Sequence, residues 1–379
     1  MRAPATTLPE PSAAARAASE VLRARIHDRI AAAGGWLSFA QYMQAALYEP
    51  SLGYYSGGSI KFGQDGDFIT APELGDLFAR ALVATVAPML ASVYRPSILE
   101  IGAGTGRLAA QLLNVLDEAG IALDRYVILE PSAELRERQQ QTLARFGGSV
   151  AWVDTLDGLE LEGLIVANEV ADALPVERFR KVGRELRALG VESRGQHFAW
   201  ALGSRLTEQR CAVEPELVAA WPDAYESEYR PLLGPWIASL AACLVRGALV
   251  IVDYGLPRRE YFHSMRSSGT LTCHYRHRVH DDPFSYPGLQ DITAWVDFTS
   301  CAEAAAAAGL SLAGFTPQGG WLLEALAGTT LASAELSPAT AAQLRMLVLP
   351  GEMGERFKLM ALTRNVVLDV PGRDLRNWL

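Results

Sequence analysis

The sequence has few cysteines, no long apolar run and no excess of basic charge, and each absence narrows the class of protein. Its 379 residues include four cysteines, which lie far apart and form no C-x-x-C pair. We therefore expect no disulfide scaffold, and we expect the protein to be located in a reducing compartment. The best apolar stretch, 81–93, contains Pro88 and is shorter than the roughly 18 residues of a membrane-spanning helix. We expect no transmembrane segment.

The charge balance and the N-terminus exclude two further classes. Lys and Arg number 34 against 43 Asp and Glu, a formal net charge of −9, which disfavours an extended nucleic-acid footprint. Residues 1–20 are rich in Ala and Pro and lack the basic-then-apolar order of a secretory signal. We expect a disordered tail there and a cytoplasmic protein, with an organellar leader as the alternative. Half the residues are apolar and a fifth are charged, which is typical of a globular protein with room for two domains.

Two helices and a glycine-rich loop are predicted before residue 97. Apolar residues recur at helical spacing over 21–30, and a Ser-x-x-Gln capping box precedes a second helical pattern over 39–47. The glycine-rich stretch 54–73 predicts a surface loop. We interpret residues 21–96 as an N-terminal helical region with a lid loop.

From residue 97 onward the pattern is that of a doubly wound α/β fold. Short, nearly continuous apolar runs alternate with helical segments, as in a parallel sheet covered on both faces. The predicted strands are 98–101, 126–129, 150–153, 164–167 and 249–252. We assign residues 97–364 to this domain and 365–379 to a C-terminal tail.

Two insertions interrupt this domain, at about 176–245 and 256–300. The first contains alternating segments, 177–191 and 197–202, which predict an inserted hairpin. We expect both insertions to cap the carboxyl edge of the sheet.

A glycine-rich turn directly after the first strand is the strongest local motif. Gly102, Gly104 and Gly106 leave the backbone bare, so that it can take positive φ and a ligand can approach it at the sheet edge. A dinucleotide fingerprint would need glycine where Arg107 stands, and no phosphate-loop lysine follows. The spacing G-x-G-x-G instead resembles motif I of the class I S-adenosylmethionine-dependent methyltransferases.

Two acids follow the next two strands. Glu130, just before a predicted helix start, is expected to accept hydrogen bonds from the ribose hydroxyls of a cofactor. Its alternative role is to complement the dipole of that helix. Asp154 is expected to accept the adenine amino group, as in that superfamily, or to have a purely structural role.

Two more acids, Glu169 and Asp172, follow the fourth strand three residues apart. If a helical turn begins there, they share a face and converge on the cleft. Paired carboxylates can hold a planar guanidinium in bidentate fashion and leave one nitrogen facing a methyl donor. Alternatively, Asp172 caps a helix before Pro175.

Asp67, in the loop 65–73, is the residue of a water-excluding lid that we expect to contact the site, unless the segment is a plain turn with a solvated acid.

His274, His277 and His280 alternate with arginines. Zinc sites normally include Cys or a helical i, i+4 pair, so we expect a strand whose His and Arg faces pair with acids, and no metal.

Taken together, these motifs resemble the MidA-type methyltransferases, which include the mitochondrial complex I assembly-factor arginine methyltransferases. The likeness covers roughly residues 20–364. Its motifs are Gly66-Asp67-Phe68-Ile69-Thr70 with Pro72-Glu73, the turn 99–106, Asn168-Glu169 with Asp172-Ala173-Leu174-Pro175, Asp253-Tyr254-Gly255, Gly269-Thr270-Leu271 with Tyr275-Arg276, Val296-Asp297-Phe298, and Met353-Gly354-Glu355-Arg356-Phe357-Lys358.

The resemblance implies a seven-stranded sheet, S-adenosyl-L-methionine as methyl donor and a protein arginine as acceptor, with symmetric dimethylarginine as the product of the mitochondrial members. It also implies a respiratory-complex subunit as substrate and the mitochondrial matrix as the location if the tail is a leader. By position, the acceptor residues would be Glu169 and Asp172, and the donor residues Gly102, Gly104, Gly106, Glu130, Asp154 and Asn168. Family members often have two aromatics where this chain has Val170 and Ala171, which predicts a wider or less aromatic acceptor pocket.

Two other functions compete with methyl transfer. A nicotinamide-dependent oxidoreductase would use the same sheet, but Arg107 replaces its third glycine and no Tyr-x-x-x-Lys set is present. A cofactor-binding assembly factor without turnover would keep the pocket and dock a partner. The intact acids at 67, 169 and 172 make an inert pocket the weaker interpretation.

Overall fold

The computed structural model describes residues 8–57, 70–329 and 336–379. Within them the α-helices, in chain order, are α1 (Ala13–Ala32), α2 (Phe39–Tyr48), α3 (Ala71–Leu74), α4 (Leu77–Leu90), α5 (Arg107–Glu118), α6 (Ala133–Leu143), α7 (Pro215–Ala220), α8 (Leu233–Cys243), α9 (Arg258–Tyr261), α10 (Phe298–Ala307), α11 (Gln318–Ala327), α12 (Pro338–Val348) and α13 (Met353–Arg356). The β-strands are β1 (Pro96–Ile101), β2 (Arg125–Leu129), β3 (Val150–Val153), β4 (Leu161–Asn168), β5 (Glu177–Val182), β6 (Glu185–Arg194), β7 (His197–Leu206), β8 (Glu226–Tyr229), β9 (Leu244–Leu256), β10 (Thr272–Tyr275), β11 (Arg278–His280), β12 (Asp291–Thr293), β13 (Val296–Asp297), β14 (Ser311–Pro317) and β15 (Phe357–Arg364).

These elements form two compact units. The first unit comprises the described residues within 1–69, 173–232 and 258–295. The second comprises those within 70–172, 233–257 and 296–379.

The second unit is built on the sheet that the sequence predicts. Its strand order is β3-β2-β1-β4-β9-β15-β14, and the short β13 also pairs with β9. The first five strands run parallel, whereas β15 runs antiparallel to both of its neighbours, β9 and β14. Side chains of α4, α5 and α11 pack with alternate sheet residues such as Ile98, Leu164 and Val250 in one buried core. The prediction of a doubly wound, mostly parallel α/β fold is confirmed.

Two glycines allow the central strands to approach each other closely. Gly163 in β4 pairs with Gly247 in β9, and both have positive φ, +135° and +139°. A Cβ added at Gly247 would lie 1.9 Å from the carbonyl oxygen of Gly163. Only glycine fits there, because the obstructing atom belongs to a paired backbone.

The first unit contains two antiparallel sheets. One has the order β7-β6-β5-β8, and the other has the order β11-β10-β12. The predicted segment 177–191 is divided between β5 and β6, and 197–202 lies within β7, so these residues form three strands instead of the two of a hairpin. Apolar faces of α1 and α2, including Leu22, Ile26 and Phe39, share a buried cluster with Val191 and Phe198.

The structure differs from expectation at the N-terminal end of the chain. Residues 13–20, expected in a disordered tail, belong to α1, because the Ser12 side chain accepts a hydrogen bond from Ala15 N and caps an alanine-rich helix. The C-terminal tail is also ordered: Leu368 and Leu375 are buried, and Leu375 N donates to Phe315 O at 2.8 Å.

The histidine segment is a hairpin rather than the single strand that was expected. His274 lies in β10 and His280 in β11, while Arg276 and His277 occupy the turn between them with positive φ. The side chains therefore do not alternate along one strand.

Among the described residues, no helix combines the length and apolarity needed to cross a bilayer.

Gly247→Ala should destabilise the second unit. The new Cβ meets the Gly163 carbonyl at a strained φ, so we expect the free energy of unfolding to fall by about 3 kcal/mol, measured by calorimetric melting. The control is Gly234→Ala in α8, where nothing lies within 4 Å of the added carbon. An unchanged melting temperature for Gly247→Ala would contradict the close strand contact.

Candidate functional site

The carboxyl ends of five parallel strands meet at one edge of the sheet in the second unit. Strand register aligns residues near the carboxyl ends of these strands: Val153 with Leu129, Leu129 with Ile101, Ile101 with Ala167, and Ala167 with Ile251. The residues that follow them form a row in the order Asp154, Glu130, Gly102, Asn168 and Val252, and Asp253 comes directly after this row. With about 4.8 Å between strands, Asp154 and Asn168 are separated by roughly 14 Å.

The glycine turn lies in the middle of this row. Gly102, Gly104 and Gly106 all have positive φ, at +64°, +53° and +80°. Gly106 N donates to Ala103 O at 2.8 Å, and α5 begins directly afterwards. A Cβ on Gly102 would lie 3.2 Å from Val170 Cγ2, so the turn packs against the segment that follows β4.

Glu130 is buried beside this turn. Its Oε1 accepts a hydrogen bond from Ser132 N at 2.9 Å, and its Oε2 accepts one from Gln139 Nε2 at 3.0 Å. Ser132 caps α6, so the alternative role as a partner of that helix is compatible with this placement. A buried, oriented carboxylate next to a bare turn suits recognition of ribose hydroxyls.

Asp154 is placed differently, because its side chain is 77 % exposed. It forms an ion pair with Arg136, which also donates to the carbonyl oxygen of Glu130 at 2.9 Å. Arg136 therefore links the two acids that were predicted to contact the nucleoside.

Asn168 and Glu169 occupy the end of β4. Asn168 Nδ2 donates to Glu169 Oε1 at 3.1 Å, and within the described part of the chain Asn168 Oδ1 has no hydrogen-bond partner. Glu169 has a left-handed φ of +55°, and its N–H donates to Val252 O at 2.8 Å. The side chain of Glu169 is only partly buried.

Asp172 is almost fully buried and is held by β9. The hydroxyl of Tyr254 donates to Asp172 Oδ2, and the N–H of Asp172 donates to Asp253 Oδ2 at 3.1 Å. The other oxygen of Asp253 accepts from Tyr254 N at 2.9 Å.

The prediction of a helical turn after β4 is wrong. Described residues 169–176 form bends and a turn instead of a helix, and Glu169 itself has a left-handed φ of +55°. Asp172 therefore caps no helix there, and the argument that the two acids share a helical face does not hold.

Sequence reasoning assigned no contact to Glu73, the last residue of the predicted lid loop. Its Oε1 accepts a hydrogen bond from Thr105 Oγ1 at 2.7 Å, and its Oε2 lies 3.2 Å from Arg107 Nη1. The family motif Pro72-Glu73 contains this residue and could have drawn attention to it, but the motif did not indicate what Glu73 contacts. Asp67 and the rest of the lid up to residue 69 lie outside the described residues.

A further buried acid, Glu100, lies under the turn in β1. Burial raises its pKa to about 7, and the negative charge of Glu130 adds to the rise, while the hydrogen bond from Tyr126 opposes it. The distance from Tyr126 Oη to Glu100 Oε2 is 2.6 Å. Among the described residues, no group of three His, Cys, Asp or Glu side chains is arranged to hold a metal ion.

The sheet order, the bare turn and the buried acid after the neighbouring strand define a nucleoside-cofactor protein with the class I methyltransferase fold. The sequence model of a family described as "putative S-adenosyl-L-methionine-dependent methyltransferase" matches residues 77–316. The chain belongs to this family. The predicted resemblance and the predicted methyl donor are confirmed, and the oxidoreductase alternative is not supported.

Relatives and a solved structure agree with this assignment. The mouse mitochondrial protein arginine methyltransferase NDUFAF7 is 31 % identical over 296 residues, which cover 70 % of this chain and 65 % of that protein. Its Drosophila melanogaster homologue is 26 % identical over 95 % of this chain and 88 % of its own length. A Burkholderia thailandensis protein crystallised with S-adenosyl-homocysteine is 40 % identical, with a TM-score of 0.89 over 97 % of this chain and 99 % of that one.

Glu100→Gln should alter how stability depends on pH. A raised pKa in the folded protein means that stability is greatest below the ordinary value of 4.5 and falls as pH rises towards about 7. The loss across that window is about 3 kcal/mol, and the uncharged glutamine should remove it.

Melting temperatures measured between about pH 4.5 and 8 should therefore slope less in Glu100→Gln than in the wild type. The matched control is Glu137→Gln, which removes one exposed acid from α6. Identical slopes in all three proteins would contradict the raised pKa.

Proposed function

We propose that this protein transfers a methyl group from S-adenosyl-L-methionine to a guanidinium nitrogen of an arginine in a protein substrate. The observation that carries the proposal is that Glu169 and Asp172 follow β4 in a segment whose Val170 side chain lies against the bare turn at Gly102. The arginine methyltransferase names of the mouse and fly relatives support the same acceptor.

The row of residues at the sheet edge would hold the donor along its length. Asp154 would accept the adenine amino group, Glu130 the ribose hydroxyls, and the bare glycine turn would admit the chain that bears the sulfonium. Asn168, with its unsatisfied Oδ1 among the described residues, would contact the donor at the far end of the row. The donor supplies an activated methyl group on a positively charged sulfur.

Glu169 is the acid best placed to bind the acceptor, because its side chain is only partly buried while Asp172 is enclosed by Tyr254 and Asp253. Its carboxylate would accept guanidinium N–H groups, localise the positive charge and take the proton that the methylated nitrogen releases. Asp172 would add a second negative charge in a fixed orientation. Alignment of the reactants then provides most of the rate enhancement.

The finer identity of the substrate rests on the family resemblance. We propose a respiratory-complex subunit as the methylated protein and symmetric dimethylarginine as the product. We propose a cytoplasmic location, with the mitochondrial matrix as the alternative if residues 1–20 act as a leader; the word mitochondrial in the relatives' names supports the alternative.

Glu169→Gln should abolish turnover while leaving donor binding nearly intact, because glutamine keeps the size of the side chain but loses the negative charge. Mass spectrometry of methylarginine peptides measures turnover in cells that lack the protein and express the wild type or the variant. Calorimetry with S-adenosyl-homocysteine measures donor binding. The control is Glu160→Gln, immediately before the other end of β4. If donor binding and turnover are lost together, the assignment of Glu169 to the acceptor is wrong.

Gly104→Val should have the opposite effect, since a branched side chain would intrude on the donor at a left-handed position. We expect calorimetry to detect no binding of S-adenosyl-homocysteine. Gly120→Val is the control: it carries comparable strain at φ +69°, but nothing lies within 4 Å of its added carbon. Normal binding by Gly104→Val would place the donor elsewhere.

A further inference from the structure

Gln139, in the middle of α6, is fully buried and links the two parts of the donor site. Its Nε2 donates to the carbonyl oxygen of Gly104 at 3.0 Å and to Glu130 Oε2 at 3.0 Å. One side-chain amide thus contacts both the glycine turn and the buried acid.

The orientation of this amide is set by a third residue. Trp152 in β3 donates its indole N–H to Gln139 Oε1 at 2.9 Å. An indole N–H can only donate, whereas the Gly104 carbonyl can only accept. The amide oxygen must therefore face Trp152, and both amide hydrogens face Gly104 and Glu130.

The glycine turn is shaped to admit this contact. A Cβ on Gly106 would lie 3.3 Å from Gln139 Cα and 3.4 Å from its Cγ. The absence of a side chain at Gly106 therefore lets α6 approach the turn closely, independently of any ligand at the sheet edge.

We propose that Gln139, oriented by Trp152 and anchored on the Gly104 carbonyl, is a positioning residue that presents the Glu130 carboxylate to the ribose hydroxyls of the donor. This inference rests on the proposed donor site and adds to it a residue that touches no ligand. Without Gln139 the carboxylate keeps its charge but loses the hydrogen bond on Oε2 that restricts its rotamer. Affinity for the ribose should then fall, and affinity for the rest of the donor should not.

The test compares binding of S-adenosyl-homocysteine and its 2′-deoxy form by calorimetry. The wild type should prefer the first ligand. Gln139→Met should bind S-adenosyl-homocysteine roughly tenfold to a hundredfold more weakly, and its preference between the two ligands should nearly disappear. Gln140→Met, an exposed position on the same helix, is the control and should bind both ligands as the wild type does.

A double-mutant cycle separates positioning from a structural effect. If Gln139 acts through Glu130, the variant with both Gln139→Met and Glu130→Gln should bind no more weakly than Glu130→Gln alone. Independent, additive losses would overturn the inference, as would equal losses for both ligands in Gln139→Met.

Trp152→Phe provides a second test that leaves the core of α6 unchanged. It removes the indole N–H and keeps an aromatic ring, so we expect a loss of a few fold with the same dependence on the 2′-hydroxyl. Full affinity and full preference in Trp152→Phe would overturn the role of Trp152.

If the wild type binds S-adenosyl-homocysteine but methylates no arginine, the proposed acceptor fails and these binding tests still decide the role of Gln139. If the wild type binds neither ligand, both proposals fail.

Discussion

Parallel pairing of β3, β2, β1, β4 and β9 is the constraint on which the site depends. Hydrogen bonding in register brings the carboxyl ends of β3, β2, β1 and β4 to one level beside Ile251 and Val252 of β9, so the residues at these ends form a row along a single edge. The paired glycines Gly163 and Gly247 have no side chains and therefore allow β4 and β9 to approach closely enough to pair in this register. A one-residue slip would turn the side chains of a whole strand to the opposite face.

The proposed donor half of the site combines bare backbone with a buried polar network. Three left-handed glycines leave the turn without side chains, and Gln139 connects that turn to Glu130. Buried polar groups are costly unless they are paired, and here each contact also orients a neighbour. Glu100 lies beneath the same network, so its raised pKa reflects both its own burial and the charge of Glu130.

The proposed acceptor half is organised by β9. Asp253 and Tyr254 both bind Asp172: the Asp253 carboxylate accepts from the backbone N–H of Asp172, and the Tyr254 hydroxyl donates to the Asp172 carboxylate. The left-handed Glu169 bends the chain at the end of β4 and leaves its own side chain more accessible than that of Asp172. Strained non-glycine backbone of this kind is often found at functional sites, where surrounding contacts maintain it.

The sequence by itself determined the sheet, the glycine turn and the strand ends that carry Glu130, Asp154, Asn168 and Glu169, because apolar periodicity and glycine spacing are local signals. The sequence also contained the motif Asp253-Tyr254-Gly255, but it did not show that Tyr254 binds Asp172. Only the tertiary structure decided that Gln139, Trp152, Glu73 and Tyr254 contact the site, since these residues come from distant elements and their hydrogen bonds exist only after folding. The turn at Glu169 was likewise a tertiary outcome, because Val252 in the neighbouring strand accepts its N–H.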